Sequence, residues 1–155
     1  MTTPSISPRY FKPSQSPTAL EGTNILGLYL RNQTELINAV QEGFTSSVLQ
    51  ALSGGLGMPI VTLVDLMGGM SLRTYNRRVE LGKPLTRDES ETVYRYARIA
   101  ERAERLLGTR ERAKIWLTSP KVALNGETPL AYAQTEPGAE EVLNLIGRIE
   151  DGSFA

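Results

Sequence analysis

The side chains that most often carry catalysis and metal binding, His and Cys, are both absent from the sequence. Their absence excludes a Cys/His zinc site, a thiolate nucleophile, a disulfide framework and a Ser-His-Asp triad. Asp88, Glu89 and Glu91 form a cluster of carboxylates, but acidic residues at the start of a helix are favoured by its dipole and need no catalytic role. We therefore expect no enzymatic activity, no catalytic residue, no metal site and no cofactor.

Basic side chains concentrate in the middle of a chain whose formal net charge is zero. Within residues 71–83 the only acidic residue is Glu80. An Arg side chain can donate two hydrogen bonds to one guanine, and hydroxyls at the amino end of a helix can hold phosphate oxygens. The candidate DNA contacts are Ser71, Arg73, Thr74, Arg77, Arg78 and Lys83. The alternative is an Arg-rich helix that only faces solvent on a four-helix bundle.

The elements that would position these residues are helices, because apolar residues recur at steps of three and four. The Ile60–Val64 run has β-propensity, but Pro59 before it and two glycines after Met67 favour a helix. No sustained strand alternation is found, so we predict an all-α fold. The predicted helices cover residues 34–44, 45–52, 59–67, 71–81, 86–107 and 109–118, followed by a loop over 119–129 and short helices at 130–135 and 138–150.

The helices at 59–67 and 71–81, joined by a turn that contains Gly, form a helix-turn-helix pattern. Ser71 is a predicted N-cap, and Leu72, Tyr75 and Val79 can pack inward while the Arg residues face outward. This order of helices, with its turn and cap, favours DNA binding over a merely solvated face. In the following helix, Arg95, Arg98, Glu101, Arg102 and Arg105 are interpreted as its solvated face.

Length and composition favour a small globular protein, with 155 residues of which 40% are hydrophobic. No apolar run approaches the roughly 20 residues that span a bilayer, and no secretory signal is found, so we expect a cytoplasmic protein without a membrane partner. Four prolines within residues 1–18 predict an extended or disordered beginning. The predicted organisation is a flexible N-terminal arm over 1–33, a helix-turn-helix domain over 34–107 and a small helical domain over 108–155.

The last part of the chain carries the most specific signal. The pattern A-x-x-W-L begins at Ala113, and Ser119-Pro120 follows it. L-N-G-x-T-P-L then begins at Leu124, T-E-x-G-A at Thr135 and L-I-G-R-I-E-x-G at Leu145. This ordered set resembles the toxin-binding domain of the Xre/MbcA/ParS antitoxin family. Residues 71–107, with S-x-R-T-x-x-R-R and L-T-x-x-E-S, resemble the helix-turn-helix half of the same family.

The resemblance implies an antitoxin that neutralises a RES-domain toxin by blocking its active site and represses its own operon by binding DNA. Because helix-turn-helix proteins read two half-sites as dimers, we expect a homodimer within a larger toxin–antitoxin complex. Such toxins consume NAD or transfer ADP-ribose, and that chemistry would belong to the partner. The candidate toxin contacts are Trp116, Leu124, Pro129, Glu150, Asp151, Gly152, Phe154 and Ala155. Taken alone, Trp116, Leu124 and Pro129 read as core or loop anchors before they read as contacts. The alternative function is a stand-alone helix-turn-helix transcriptional regulator with a C-terminal protein-interaction domain.

Overall fold

The computed structural model describes residues 20–152, which form eight α-helices and one 3-10 turn without any strand in that range. The prediction of an all-α fold is confirmed. Between residues 20 and 152 no single helix is both long and apolar enough to cross a bilayer, and α2 with α3 reach that length only across a 104° bend. The elements are α1 (Gln33–Glu42), α2 (Ser47–Leu56), α3 (Ile60–Met67), α4 (Leu72–Leu81), α5 (Arg87–Leu107), α6 (Arg110–Leu117), the 3-10 turn (Val122–Leu124), α7 (Pro129–Tyr132) and α8 (Glu136–Asp151).

Polar caps define where most of these helices begin. Thr86 and Glu89 form the predicted capping box: the Thr86 side chain accepts a hydrogen bond from the Glu89 amide, and the Glu89 carboxylate accepts one from the Thr86 amide. Ser71 caps α4 as predicted, by accepting from the Thr74 amide. The same side-chain cap occurs at Asn32, Thr109, Thr128 and Thr135. Each cap satisfies a backbone donor that the helix itself leaves unpaired.

Several predicted helix boundaries are wrong: α1 ends at Glu42 rather than at residue 44, α2 begins at Ser47 rather than at residue 45, and α7 ends at Tyr132 rather than at residue 135. Helix α2 does not end at Leu52 but continues through Gly54 and Gly55 to Leu56. Gly55 is needed there because a Cβ atom at this position would lie 2.4 Å from Cγ1 of Ile25. Helix α8 begins at Glu136, two residues before the predicted start, because Thr135 rather than a later residue supplies its cap.

The long helix α5 is the centre of the molecule, since α1, α2, α3, α6 and α8 all pack against it. Its inward side chains include Tyr96 and Ile99, both fully buried. A single hydrophobic cluster joins Leu63 of α3 with Ile146 of α8. The predicted domains 34–107 and 108–155 therefore share one core, although they were inferred as separate units.

Residues 20–28 of the predicted N-terminal arm pack against the core. Residues 21–27 form a series of turns, and Ile25 and Leu26 are buried in the core. The Glu101 carboxylate accepts hydrogen bonds from the amides of Gly22 and Ile25 at 2.7 and 2.8 Å. The prediction of a flexible arm over 1–33 is therefore wrong for residues 20–28, and residues 1–19 lie outside the described range.

Candidate functional site

Helices α3 and α4 form the predicted helix-turn-helix arrangement, joined by a turn over residues 68–71. Gly68 and Gly69 both have positive φ, 71° and 74°, which is why glycine suits these two positions. Within the turn the Met70 side chain is buried, and Tyr75 is the buried residue of α4. Because α4 packs chiefly against α3, its opposite face is left to solvent.

The outward face of α4 is polar and basic at its centre. Arg73, Asn76 and Arg77 line a shallow groove of about 610 Å³, together with Leu72, Glu80 and Leu81. At the amino end, the Ser71 hydroxyl donates to Oγ1 of Thr74 at 3.1 Å, so these two predicted contacts lie side by side. Val79 was predicted to pack inward, but its side chain is 48% exposed. The structure thus places Ser71, Arg73, Thr74 and Arg77 together on one accessible face.

Arg78 differs from the other predicted DNA contacts. Its guanidinium Nη1 donates to Oε1 of Glu89, the carboxylate that also closes the capping box of α5. Both side chains are largely buried, so this ion pair joins the end of α4 to the start of α5. We therefore assign Arg78 to positioning α4. Lys83 is exposed and lies just beyond Gly82, the left-handed residue that ends the helix.

The predicted toxin contacts divide into accessible and buried residues. Trp116 is half-buried and its ring lies 5.0 Å from the Lys121 ammonium, a distance typical of a cation–π contact. Partial burial lowers the pKa of Lys121 from its usual range. Leu124 is fully buried and Pro129 is buried as well, which corrects their assignment as direct contacts. A side chain with no exposed surface cannot touch a partner unless the loop rearranges.

The motif around Leu124 and Pro129 instead shapes the loop between α6 and α7. Asn125 has φ 60°, a left-handed conformation that Asn tolerates better than most residues, and it ends the 3-10 turn. Thr128 caps α7 by accepting from the Ala131 amide at 3.1 Å, and Pro129 occupies the first turn, where its missing N–H costs nothing. Asn125, Thr128 and Pro129 of the L-N-G-x-T-P-L pattern therefore have roles in shaping this loop and starting α7.

The end of α8 carries the remaining predicted contacts that lie in the described range. Glu150, Asp151 and Gly152 are exposed, and Oε1 of Glu150 accepts from Nη2 of Arg102 on α5 at 3.2 Å. Phe154 and Ala155 lie outside the described residues. Trp116 belongs to α6, whereas Glu150, Asp151 and Gly152 lie at the end of α8.

Two exposed apolar residues that lie within six positions of Trp116 in the sequence were missed by sequence reasoning. Ile115 is 65% exposed and Val122 is 97% exposed. The helical period contained the signal for Ile115: Ala113 and Leu117, four residues apart, face the core, and a residue midway between them must face away. No comparable signal exists for Val122, which lies in an irregular loop. We name Ile115, Trp116, Lys121 and Val122 the tryptophan patch.

A charged cluster on α5 was also misread as a solvated face. Glu21 accepts from Arg105 Nη2 at 2.7 Å and from Arg98 Nε at 3.4 Å. Its Oε2 is also 3.7 Å from Nε of Arg102, which bridges onward to Glu150. The spacing 98, 102 and 105 places the three guanidinium groups on one helix face, and that spacing was the available signal. Residues 20–28 are therefore held against α5 by Glu101 and by Arg98, Arg102 and Arg105.

These features define a small helical protein that joins a helix-turn-helix unit to a C-terminal helical region with its own exposed apolar patch. The family model of the antitoxin Xre/MbcA/ParS C-terminal toxin-binding domain matches residues 102–152. That range contains the tryptophan patch and the end of α8.

Three relatives match most of the chain. "Antitoxin Xre" of Pseudomonas putida is 32% identical over 123 residues, which cover 79% of this chain and 76% of the relative. "Antitoxin Xre" of Yersinia enterocolitica is 30% identical over 84% of this chain and 88% of its own length. "Antitoxin Xre" of Photorhabdus laumondii is 38% identical over 71% of this chain and 85% of its own length. The chain belongs to the Xre antitoxin family, and it is an antitoxin of a toxin–antitoxin system.

Proposed function

We propose that this antitoxin acts in the cytoplasm on two macromolecules: the operator DNA of its own operon and a cognate RES-domain toxin. The observation that carries the DNA part is the accessible basic face of α4, directly after a helix-turn-helix turn. The toxin part rests on the family match over residues 102–152. Each activity uses a different surface, so each can be removed without the other.

For DNA, α4 acts as the recognition helix in the major groove. Arg73 and Arg77 supply guanidinium groups for base edges or phosphates, and Ser71 with Thr74 holds phosphate at the amino end of the helix. Lys83, exposed beyond the helix end, adds a phosphate contact. A homodimer would present two such helices to the two half-sites of a palindromic operator.

The DNA proposal is tested with Arg73→Ala combined with Arg77→Ala, on a duplex from the promoter region of its own gene. We expect affinity to fall by at least tenfold and the slope of log affinity against log salt to become shallower, because fewer counterions are released. Arg110→Ala with Arg112→Ala removes equal charge from exposed positions on α6 and is the matched control. Equal affinity and equal slope in both double variants would contradict the assignment of α4.

For the toxin, the tryptophan patch provides the apolar centre of the interface, and the acidic end of α8 provides a second contact region. Aromatic residues within a ring of less critical contacts dominate many protein interfaces. The carboxylates of Glu150 and Asp151 suit a basic cleft that holds the phosphates of a dinucleotide such as NAD. Blocking such a cleft would stop the toxin without any bond being broken by the antitoxin.

The toxin proposal is tested with Val122→Asp and Ile115→Asp, measured by titration with the toxin encoded beside the antitoxin gene. Trp116 is the only Trp in this chain, so in a toxin variant without Trp its emission reports binding directly. We expect affinity to fall at least tenfold, because a carboxylate would be buried against an apolar surface. Ile37→Asp, at a 47% exposed position on α1, is the control. Unchanged binding in both patch variants would reject this surface.

A further inference from the structure

The carbonyl oxygen of Leu66 receives two hydrogen bonds from outside its own helix. Tyr96 of α5 donates its hydroxyl at 3.3 Å, and Gln134 donates its side-chain amide Nε2 at 2.5 Å. Leu66 is the penultimate residue of α3, where backbone carbonyls have no partner within the helix. The end of the first helix of the helix-turn-helix is thus held by a residue of the toxin-binding region, between α7 and α8.

Gln134 is itself held in place. Its backbone carbonyl accepts from Nη2 of Arg95 at 3.0 Å, and the same nitrogen donates to Oγ1 of Thr92 at 3.1 Å. The Arg95 guanidinium also lies 3.6 Å from the Glu136 carboxylate at the start of α8. Arg95 therefore fixes the Gln134 backbone against α5, and the Gln134 side chain links this fixed backbone to the end of α3 through its hydrogen bond to Leu66.

The orientation of α4 depends on the end of α3. The two helices are joined through Gly68 and Gly69, and glycine restricts the backbone least of all residues. Helix α4 packs chiefly against α3, and the Arg78–Glu89 ion pair links its far end to the start of α5. A turn with two glycines cannot by itself set the angle of α4, so contacts that hold α3 also set α4.

We infer that Gln134 is a positioning residue for DNA recognition: it fixes the recognition helix from within the toxin-binding region, without touching DNA. This inference rests on the proposed DNA-binding function of α4. Gln134 is exposed, so its loss leaves the hydrophobic core intact. The consequence is a change in sequence discrimination rather than in folding.

The experiment compares Gln134→Ala and Gln134→Met with the wild-type chain on two duplexes, the promoter region of its own gene and an unrelated sequence of equal length. Both variants remove the donor, and Met keeps the length of the side chain. We expect the ratio of promoter to unrelated affinity to fall about threefold to tenfold, the range expected for one lost hydrogen bond. Affinity for unrelated DNA and its salt slope should stay as in the wild type, and the thermal midpoint should fall by no more than a few degrees, the effect of one lost intramolecular hydrogen bond. Gln50→Ala, at an exposed glutamine of α2, is the matched control.

A second variant separates positioning from a general structural effect. Tyr96→Phe removes the other donor to the same carbonyl, so its effect on the promoter ratio should be non-additive with that of Gln134→Ala. Promoter ratios within 1.5-fold of wild type in both Gln134 variants would overturn the inference while the Arg73/Arg77 result stands. If the Arg73/Arg77 double variant also binds the promoter normally, the DNA-binding proposal fails first, and the role of Gln134 falls with it.

Discussion

At the residue scale, one side chain can serve two elements at once, and such residues are hard to assign from sequence. The Glu89 carboxylate closes the capping box of α5 and also binds Arg78 of α4. The capping role follows from the spacing of Thr86 and Glu89, which is local in the chain. The ion pair does not, because it depends on how α4 folds back onto α5. Arg78 therefore looked like its neighbour Arg77 in the sequence but has a different role in the structure.

Tyr96 gives a testable pH dependence at the same scale. Burial raises the pKa of its hydroxyl to about 12, so it remains a donor to Leu66 throughout the physiological range. A group whose pKa is higher in the folded than in the unfolded state stabilises the fold fully below the unfolded value of about 10, and this contribution is lost between about pH 10 and 12. We expect the wild type to lose about 2–3 kcal/mol over this interval relative to Tyr96→Phe.

The measurement is denaturant unfolding of both proteins at several pH values from 8 to 12. The Tyr96→Phe variant retains every other titrating group, so the difference between the two proteins isolates the hydroxyl. A difference in stability that is the same at pH 8 and pH 12 would contradict the raised pKa.

At the element scale, helix α8 contains two glycines in opposite situations. A Cβ atom at Gly138 would lie 1.7 Å from the carbonyl oxygen of Tyr132, because the end of α7 comes into direct contact with the start of α8. No heavy atom lies within 4 Å of a Cβ built at Gly147. We expect Gly138→Ala to cost at least 2 kcal/mol of unfolding free energy through backbone displacement. Gly147→Ala should stabilise by about 0.5–1 kcal/mol through helix propensity.

These two variants are matched, because the same substitution is made in the same helix and thermal unfolding measures both. Equal effects of the same sign would show that α7 does not approach α8 as closely as described. The comparison also explains the glycine in the T-E-x-G-A pattern, which sequence alone recognised but could not explain.

The elements themselves were largely predictable, because the signals that define helix ends are local. Ser71, Thr86 and Gly82 gave the limits of α4 and the start of α5 correctly. The end of α2 was not predictable, since the glycine that normally weakens a helix is required there by Ile25, which lies thirty residues earlier in the chain. The tryptophan patch was found only in part, because Val122 has no periodic neighbours to indicate its exposure.

At the scale of the whole molecule, the shared core makes the two halves interdependent. Removing residues 108–155 would expose the side of α5 that packs against α6 and α8. We expect the fragment over 20–107 to lose cooperative unfolding. A chain of this size that buries less apolar surface has too small a free energy of unfolding to remain folded. Thermal unfolding followed by circular dichroism measures this, with the chain over 20–155 as the control. A fragment that melts cooperatively at the same temperature would contradict the single core.

The central position of α5 also limits how such antitoxins can diversify. A recombination event that joined residues 1–107 of one antitoxin to residues 108–155 of another would place foreign surfaces of α6 and α8 against α5. A crossover that carries α5 together with α6, α7 and α8 keeps most of the packing partners on one parental side. New combinations of the two parts of the chain would therefore arise more readily by gradual substitution at exposed positions than by the exchange of whole segments.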